Sequence, residues 1–344
     1  MALAYLGAVI GAGFASGQEI VQFFVIYHPR GWWGTVIAGI LFALMGGVLL
    51  YLCSITRVGN YQQLLQVVFG SRAGKAVDVC LSLFLFAGIC VMFSASGAVF
   101  EEHLYLSKAL GVFLAYACVL VLLAGGIRGL VFSYNLLVPL KILLLLLIVG
   151  CAAFFADTGT IPTGEVSISW HRIEYWGLAA VLYVAYNFAL AMVVLCEYRV
   201  LVRPAEGILG AVLGGLMLGG MALLYYLAMV RYVPVILNYE VPMLFVAGNI
   251  SVPVKFTYVI VLWIGIITTA LADAYGFTQR LAAFTGISYR FTLLLVLTAA
   301  LPLSFQSFSS LVAAVYPLFG VLGLVLVAGI LVRVVSLRTL TKKQ

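Results

Sequence analysis

Ala4-Tyr-Leu-Gly-Ala-Val-Ile-Gly-Ala-Gly-Phe-Ala-Ser-Gly-Gln-Glu-Ile20 lies in an apolar segment, residues 2–27, that is long enough to cross a bilayer. Gly11, Gly13 and Gly17 crowd its middle, and Ser16, Gln18 and Glu19 fall within or just after them. A glycine costs about 1 kcal/mol against alanine inside a helix, and backbone released in lipid must find a partner within the protein. Three glycines in seven residues therefore predict a helix that breaks at mid-depth and offers main-chain groups to a ligand. Glycine also lets helices approach closely, and that reading suits Gly214-Gly215 and Gly219-Gly220 better.

The rest of the chain is as apolar as this segment. Of 344 residues, 65% are hydrophobic and 8% charged, against about 25% charged in soluble domains. Mean hydropathy is +1.22. These values exclude a soluble domain, a disordered chain, a coiled coil and a nucleic-acid-binding protein. The six cysteines lie in or at the ends of apolar runs with no CxxC spacing, which suits packed thiols better than a zinc site or a disulfide framework.

At about 20 residues per crossing, ten helical spans are expected, near residues 2–27, 32–56, 76–102, 109–127, 132–155, 176–198, 207–231, 255–278, 288–306 and 310–335. Residues 58–74 are amphipathic and predict an interfacial helix, and residues 232–254 predict a loop carrying a short helix. With this map twelve Lys and Arg fall on one side and five on the other, leaving Lys141 within a span. The positive-inside rule then puts both termini in the cytoplasm of a multi-pass protein of the cell membrane.

Ten spans divide into halves of five with opposite orientation: 1–155, an external loop over 156–175, 176–335, and a cytoplasmic tail over 336–344. Span six, which opens the second half, carries Ala185-Tyr-Asn-Phe-Ala189 and is expected to break as span one does. Paired interruptions at matching positions of two halves point to a transporter binding site.

The opening segment resembles the YkvI-like membrane proteins, grouped with amino-acid permeases of the amino acid–polyamine–organocation superfamily. Ile10-Gly-Ala-Gly-Phe14 resembles that superfamily's I-G-S-G-I motif, and Tyr183 to Pro204, with Glu197 and Arg203-Pro204, resembles its sixth-span segment. The resemblance implies an all-α polytopic membrane protein of LeuT-like fold: ten transmembrane helices, a 5+5 inverted repeat, broken helices 1 and 6. It also implies that Gly11, Ala12, Gly13, Phe14 and Ser16 surround the substrate, the Ala12 and Gly13 amides holding its carboxylate, while Tyr183 closes over it. Asn187 departs from the small residue usual there and is a candidate for selectivity or for satisfying freed backbone; Ser94 is a candidate for the pocket wall.

Lys141 is a charge deep in span five, where a lysine costs about 2.5–3.5 kcal/mol on insertion scales. By the same resemblance, a span-five lysine replaces the coupling sodium in sodium-independent members. Gly265-Ile-Ile-Thr268-Thr269, with the carbonyls of Gly7 and Ile10, nonetheless resembles the sodium site of sodium-coupled members. Asp273 is expected to pair with Lys141 or relay its proton, and Glu19 to line the outer vestibule, gate it, or titrate during the transport cycle. The expectation is a secondary carrier of an amino acid or related carboxylate-bearing solute, coupled to protons or exchanging without an ion. The alternatives are a sodium symporter and a nutrient-sensing receptor of the same fold. No cofactor beyond H+ or Na+ is expected, and no metal site or catalytic residue. The partners are the solute and the lipid bilayer, the state a monomer or weak homodimer.

Overall fold

The computed structural model describes residues 1–125, 127–155, 174–199 and 202–341. Thirteen α-helices and two short 3-10 turns make up its regular structure, with no strand among the described residues. Among the described residues six helices are long and apolar enough to cross a membrane, and the apolar stretches Lys108–Leu123, Pro139–Phe154 and Tyr289–Ser304 are shorter. The chain is thus a polytopic helical protein of membrane type.

The first span is three pieces: α1 (Ala2–Val9), α2 (Ala12–Ser16) and α3 (Gln18–Phe23). Ile10 and the extended Gly11 separate the first two. Gly17, at φ 84°, separates the second pair in the left-handed region that favours glycine. Then follow α4 (Gly31–Thr56), α5 (Tyr61–His103), α6 (Lys108–Leu123), α7 (Ile127–Phe155), α8 (Trp176–Tyr198), α9 (Pro204–Val230), α10 (Pro242–Ile250), α11 (Val252–Thr285), α12 (Tyr289–Ser304) and α13 (Phe308–Thr341).

Most expected boundaries hold to within a few residues. Gly70, at φ 79°, bends α5 and divides an amphipathic start from the apolar remainder, as the interfacial-helix reading requires. The short helix expected in residues 232–254 is α10. One expectation needs correction. Span six is not broken: α8 runs as one helix from Trp176 to Tyr198, because its middle holds neither glycine nor proline and Asn187 donates its side-chain amide to the Tyr183 carbonyl at 3.1 Å. The expected tail over 336–344 is helical as far as Thr341. The expected loop over 156–175 lies almost wholly outside the described residues, as does the side chain of Glu197.

Three pairs of helices that correspond across the expected halves lie side by side. α4 packs on α9, α5 on α11, and α1 on α8. The α4–α9 contact depends on absent side chains: a Cβ on Gly39 would stand 2.9 Å from Gly219 Cα, and a Cβ on Gly215 would stand 2.6 Å from Ala43 Cα. Without a hydrophobic force between helices in lipid, such close backbone approach supplies the packing energy. Cys53 and Cys196, near the ends of α4 and α8, face one another as thiols at 3.6 Å.

Gly219→Val should push α4 from α9 and destabilise the fold by about 1–3 kcal/mol, lowering the melting temperature of the purified protein. Gly220→Ala, whose Cβ meets nothing within 4 Å, should leave it unchanged. Equal melting of both variants would contradict this packing.

Candidate functional site

The break leaves its carbonyls well provided for. Ile10 O accepts the Lys141 ammonium at 2.8 Å. Gly11 O accepts the Ala15 amide at 2.9 Å, and Phe14 O that of Gly17 at 3.0 Å. Gly13 O accepts the Ser16 hydroxyl at 2.8 Å, and Ala15 O the Tyr258 hydroxyl at 2.6 Å. The Ala12 and Gly13 amides open α2, a position with no intrahelical acceptor.

Beside this break lies a cavity of about 50 Å³, room for three or four waters at about 10–15 Å³ each on the same measure. Of the expected residues, Gly11, Ala12, Gly13, Glu19, Asn187, Thr269 and Asp273 converge on it. They come from three stretches of chain: the pieces of span one, α8 and α11.

Two carboxylates dominate its electrostatics. Glu19, 4% exposed, reaches back from α3 over Gly13 and accepts the Tyr186 hydroxyl; Asn187 faces the same carboxylate. A Cβ on Gly13 would overlap the Glu19 carboxylate and stand 2.8 Å from the Tyr316 hydroxyl, so only glycine admits both. Asp273, 9% exposed, lies against Gly88 of α5, where a Cβ would stand 2.9 Å from its Cγ.

Other expected residues are placed differently. Lys141, 2% exposed, does not pair with Asp273; the ion pairs among the described residues are His103–Glu102, Arg203–Glu206 and Arg280–Asp78. The lysine is spent on the Ile10 carbonyl, its stem passing Gly265, where a Cβ would stand 3.4 Å from Lys141 Cδ. Thr268 and Thr269 both donate to Gly265 O at 3.0 Å, and Gly7 lies in α1 before the break. Ser94 leaves the cavity wall altogether: it donates to Gln306 O at 2.6 Å, satisfying the carbonyl at the turn between α12 and α13. Ser16 also accepts the Gln18 amide at 3.2 Å, so it shapes the chain rather than the cavity. Phe14 packs edge-on against Tyr225, ring centres 4.9 Å apart, and Tyr183 sits among Phe23, Phe24 and Phe42. Neither lines the cavity.

The aromatics that do line it are Phe84, Tyr186 and Tyr316, the two tyrosines with ring centres 4.9 Å apart. Tyr186 stands one residue before Asn187 in the polar patch of span six; Tyr316, followed by Pro317, had a mid-helix proline as its signal. Gly88 and Met92 of α5 carried none.

Two polar clusters lie toward opposite ends of α5. At one, Glu102 accepts the Glu240 and Val241 amides at 2.8 and 3.2 Å, Glu240 accepts the Phe308 amide at 3.0 Å, and Lys108 donates to Gln306 O at 3.0 Å. These bonds tie the loop before α10 to the end of α5 and the start of α13. At the other, Arg280 lies 5.0 Å over the Tyr61 ring, donates to its hydroxyl, and meets Asp78 at 3.7 Å.

No family model matches the chain. It is similar to the uncharacterized membrane protein YkvI of Bacillus subtilis (strain 168), 28% identical over 96% of this chain and 94% of the relative. It is also similar to the uncharacterized protein YyaD of the same strain, 24% identical over the same shares of the two chains. The near end-to-end match supports a shared architecture that includes membrane character.

Burial raises the Glu240 carboxyl above its ordinary value of 4.5; the Phe308 amide and Lys108 pull it back, while Glu102 and Glu101 add to the rise. A raised carboxyl stabilises this cluster most fully below its ordinary value, and that contribution is lost as pH rises through the raised value. The population with a short distance between spin labels on Asn249 and Ser310 should grow on acidification, and Glu240→Gln should flatten the dependence. A short-distance population that shrinks with acid would contradict this.

Proposed function

We propose that the protein is a secondary carrier of a small amino acid or related solute, working by alternating access. The observation that carries this reading is the broken first span, its Ile10 carbonyl held by the buried Lys141 ammonium, beside a cavity at membrane depth. A buried charge within a span marks a functional path, and a helix broken against a cavity marks the binding site of a carrier.

The pairing of α4 with α9, α5 with α11 and α1 with α8, three cases of a helix meeting the one five spans later, supports a 5+5 inverted repeat of LeuT type. In this proposal both termini are cytoplasmic. The Glu102–Glu240–Phe308 cluster is the outer seal and the Tyr61–Asp78–Arg280 cluster the inner one. Only one of the two paired interruptions is needed: α8 contributes Tyr186 and Asn187 as a rigid wall against which the pieces of span one move.

Lys141 supplies a resident positive charge on the carbonyl that a sodium site would use. A lysine ammonium and a sodium ion cannot share that oxygen comfortably, so the carrier works without sodium, by proton coupling or by exchange. The hydroxyls of Thr268 and Thr269, both turned onto Gly265 O, keep the neighbouring α11 turn intact beside the lysine stem.

Purified protein in proteoliposomes should exchange a labelled amino acid in counterflow, without a requirement for sodium. Lys141→Met should keep its elution profile on size exclusion but lose most uptake, because Ile10 O is left without its donor. Undiminished uptake in Lys141→Met, or a strict sodium requirement in the wild type, would overturn the assignment. Binding without flux would make the protein a sensor.

A further inference from the structure

We infer that the cavity selects its solute by a protonated amine rather than by a carboxylate, an inference that rests on the carrier reading and narrows it. The charged side chains that line the cavity are both acids, Glu19 and Asp273, and no cationic side chain lines it among the described residues. Lys141 is directed to the Ile10 carbonyl and is not part of the lining.

The two acids differ in what they lack. Glu19 receives the Tyr186 hydroxyl. Asp273 is more than nine-tenths buried, lines the cavity, and has no hydrogen bond or ion pair among the described residues. Gly88 gives its carboxylate space against α5, and no donor occupies that space. Buried carboxyl groups without partners are costly unless a cation or donor joins them. An ammonium carries three donors and fits a site offering carboxylate and hydroxyl oxygens.

The position in front of Gly13 bears on the same point. A solute carboxylate directed at that turn would meet the Glu19 carboxylate already lying there. Like charges at such separation repel strongly away from water. The cavity's volume of about 50 Å³ limits the solute to a few heavy atoms. Ethylamine, ethanolamine, glycine and alanine are of this size. The amine would lie between Asp273 and Glu19, with Tyr186, Tyr316 and Asn187 completing the shell.

The test measures binding by thermal shift in lipid nanodiscs at fixed pH and ionic strength, with ethylamine, alanine and acetate as probes. Ethylamine and alanine should stabilise the wild type and acetate should not. Asp273→Asn should weaken ethylamine about tenfold or more, the scale of one charge-assisted hydrogen bond, and Glu19→Gln should weaken it as well. Should Asp273→Asn fail to fold, the wild-type probe series decides alone. Stabilisation by acetate but not ethylamine, unchanged ethylamine affinity in Asp273→Asn, or no response to either amine would overturn the inference. Counterflow of the same probes separates the two claims. Acetate flux would leave a carrier with the wrong selectivity, whereas amine binding without flux would leave the selectivity and remove the carrier.

Discussion

One hydrogen bond organises this molecule: the Lys141 ammonium on the Ile10 carbonyl, 2.8 Å apart and buried. Each group would be unfavourable alone. A lysine at the centre of a span costs about 2.5–3.5 kcal/mol, and a buried carbonyl without a donor about 1–3 kcal/mol. Joined, they form a charge-assisted bond of about 1.5–3 kcal/mol and remove the second penalty. The break in the first span is stable because α7 brings a donor to it, and the lysine is tolerated because the break supplies an acceptor. Gly265 of α11 leaves room for the lysine stem. The same break sends Glu19 back over Gly13 and forms the cavity wall.

Much of this was legible in residue order. Glycine spacing marked the first break, because the cost of glycine in a helix is local. Span positions followed from hydropathy, and Lys141 stood out as a charge where none is cheap. Span six was misread because a polar Asn in an apolar helix looks the same whether the helix opens or the amide bonds four residues back. The structure takes the second course. Ser94, Phe14 and Tyr183 failed for a related reason: depth in a span can be counted, but the direction of a side chain depends on which helix packs beside it. Tyr316 and Gly88 needed that packing before they had any meaning.

The arrangement also divides labour between rigid and movable parts. Glycine-mediated contact fixes α4 to α9, and α8 remains an unbroken rod carrying Tyr186 and Asn187. Span one is articulated at Ile10–Gly11 and again at Gly17, so its pieces are joined by two points where the backbone can turn. The polar clusters at the two ends of α5 hold loops and helix ends by a few hydrogen bonds and an ion pair, contacts that open more readily than packed helices.

Hydrogen–deuterium exchange of the protein in lipid nanodiscs tests the central claim most directly. If the first span is broken beside a cavity and α8 is whole, amides of residues 11–14 should exchange quickly while those of residues 184–188 stay protected. Equal, strong protection of both segments would contradict the broken span, and with it the site built around it.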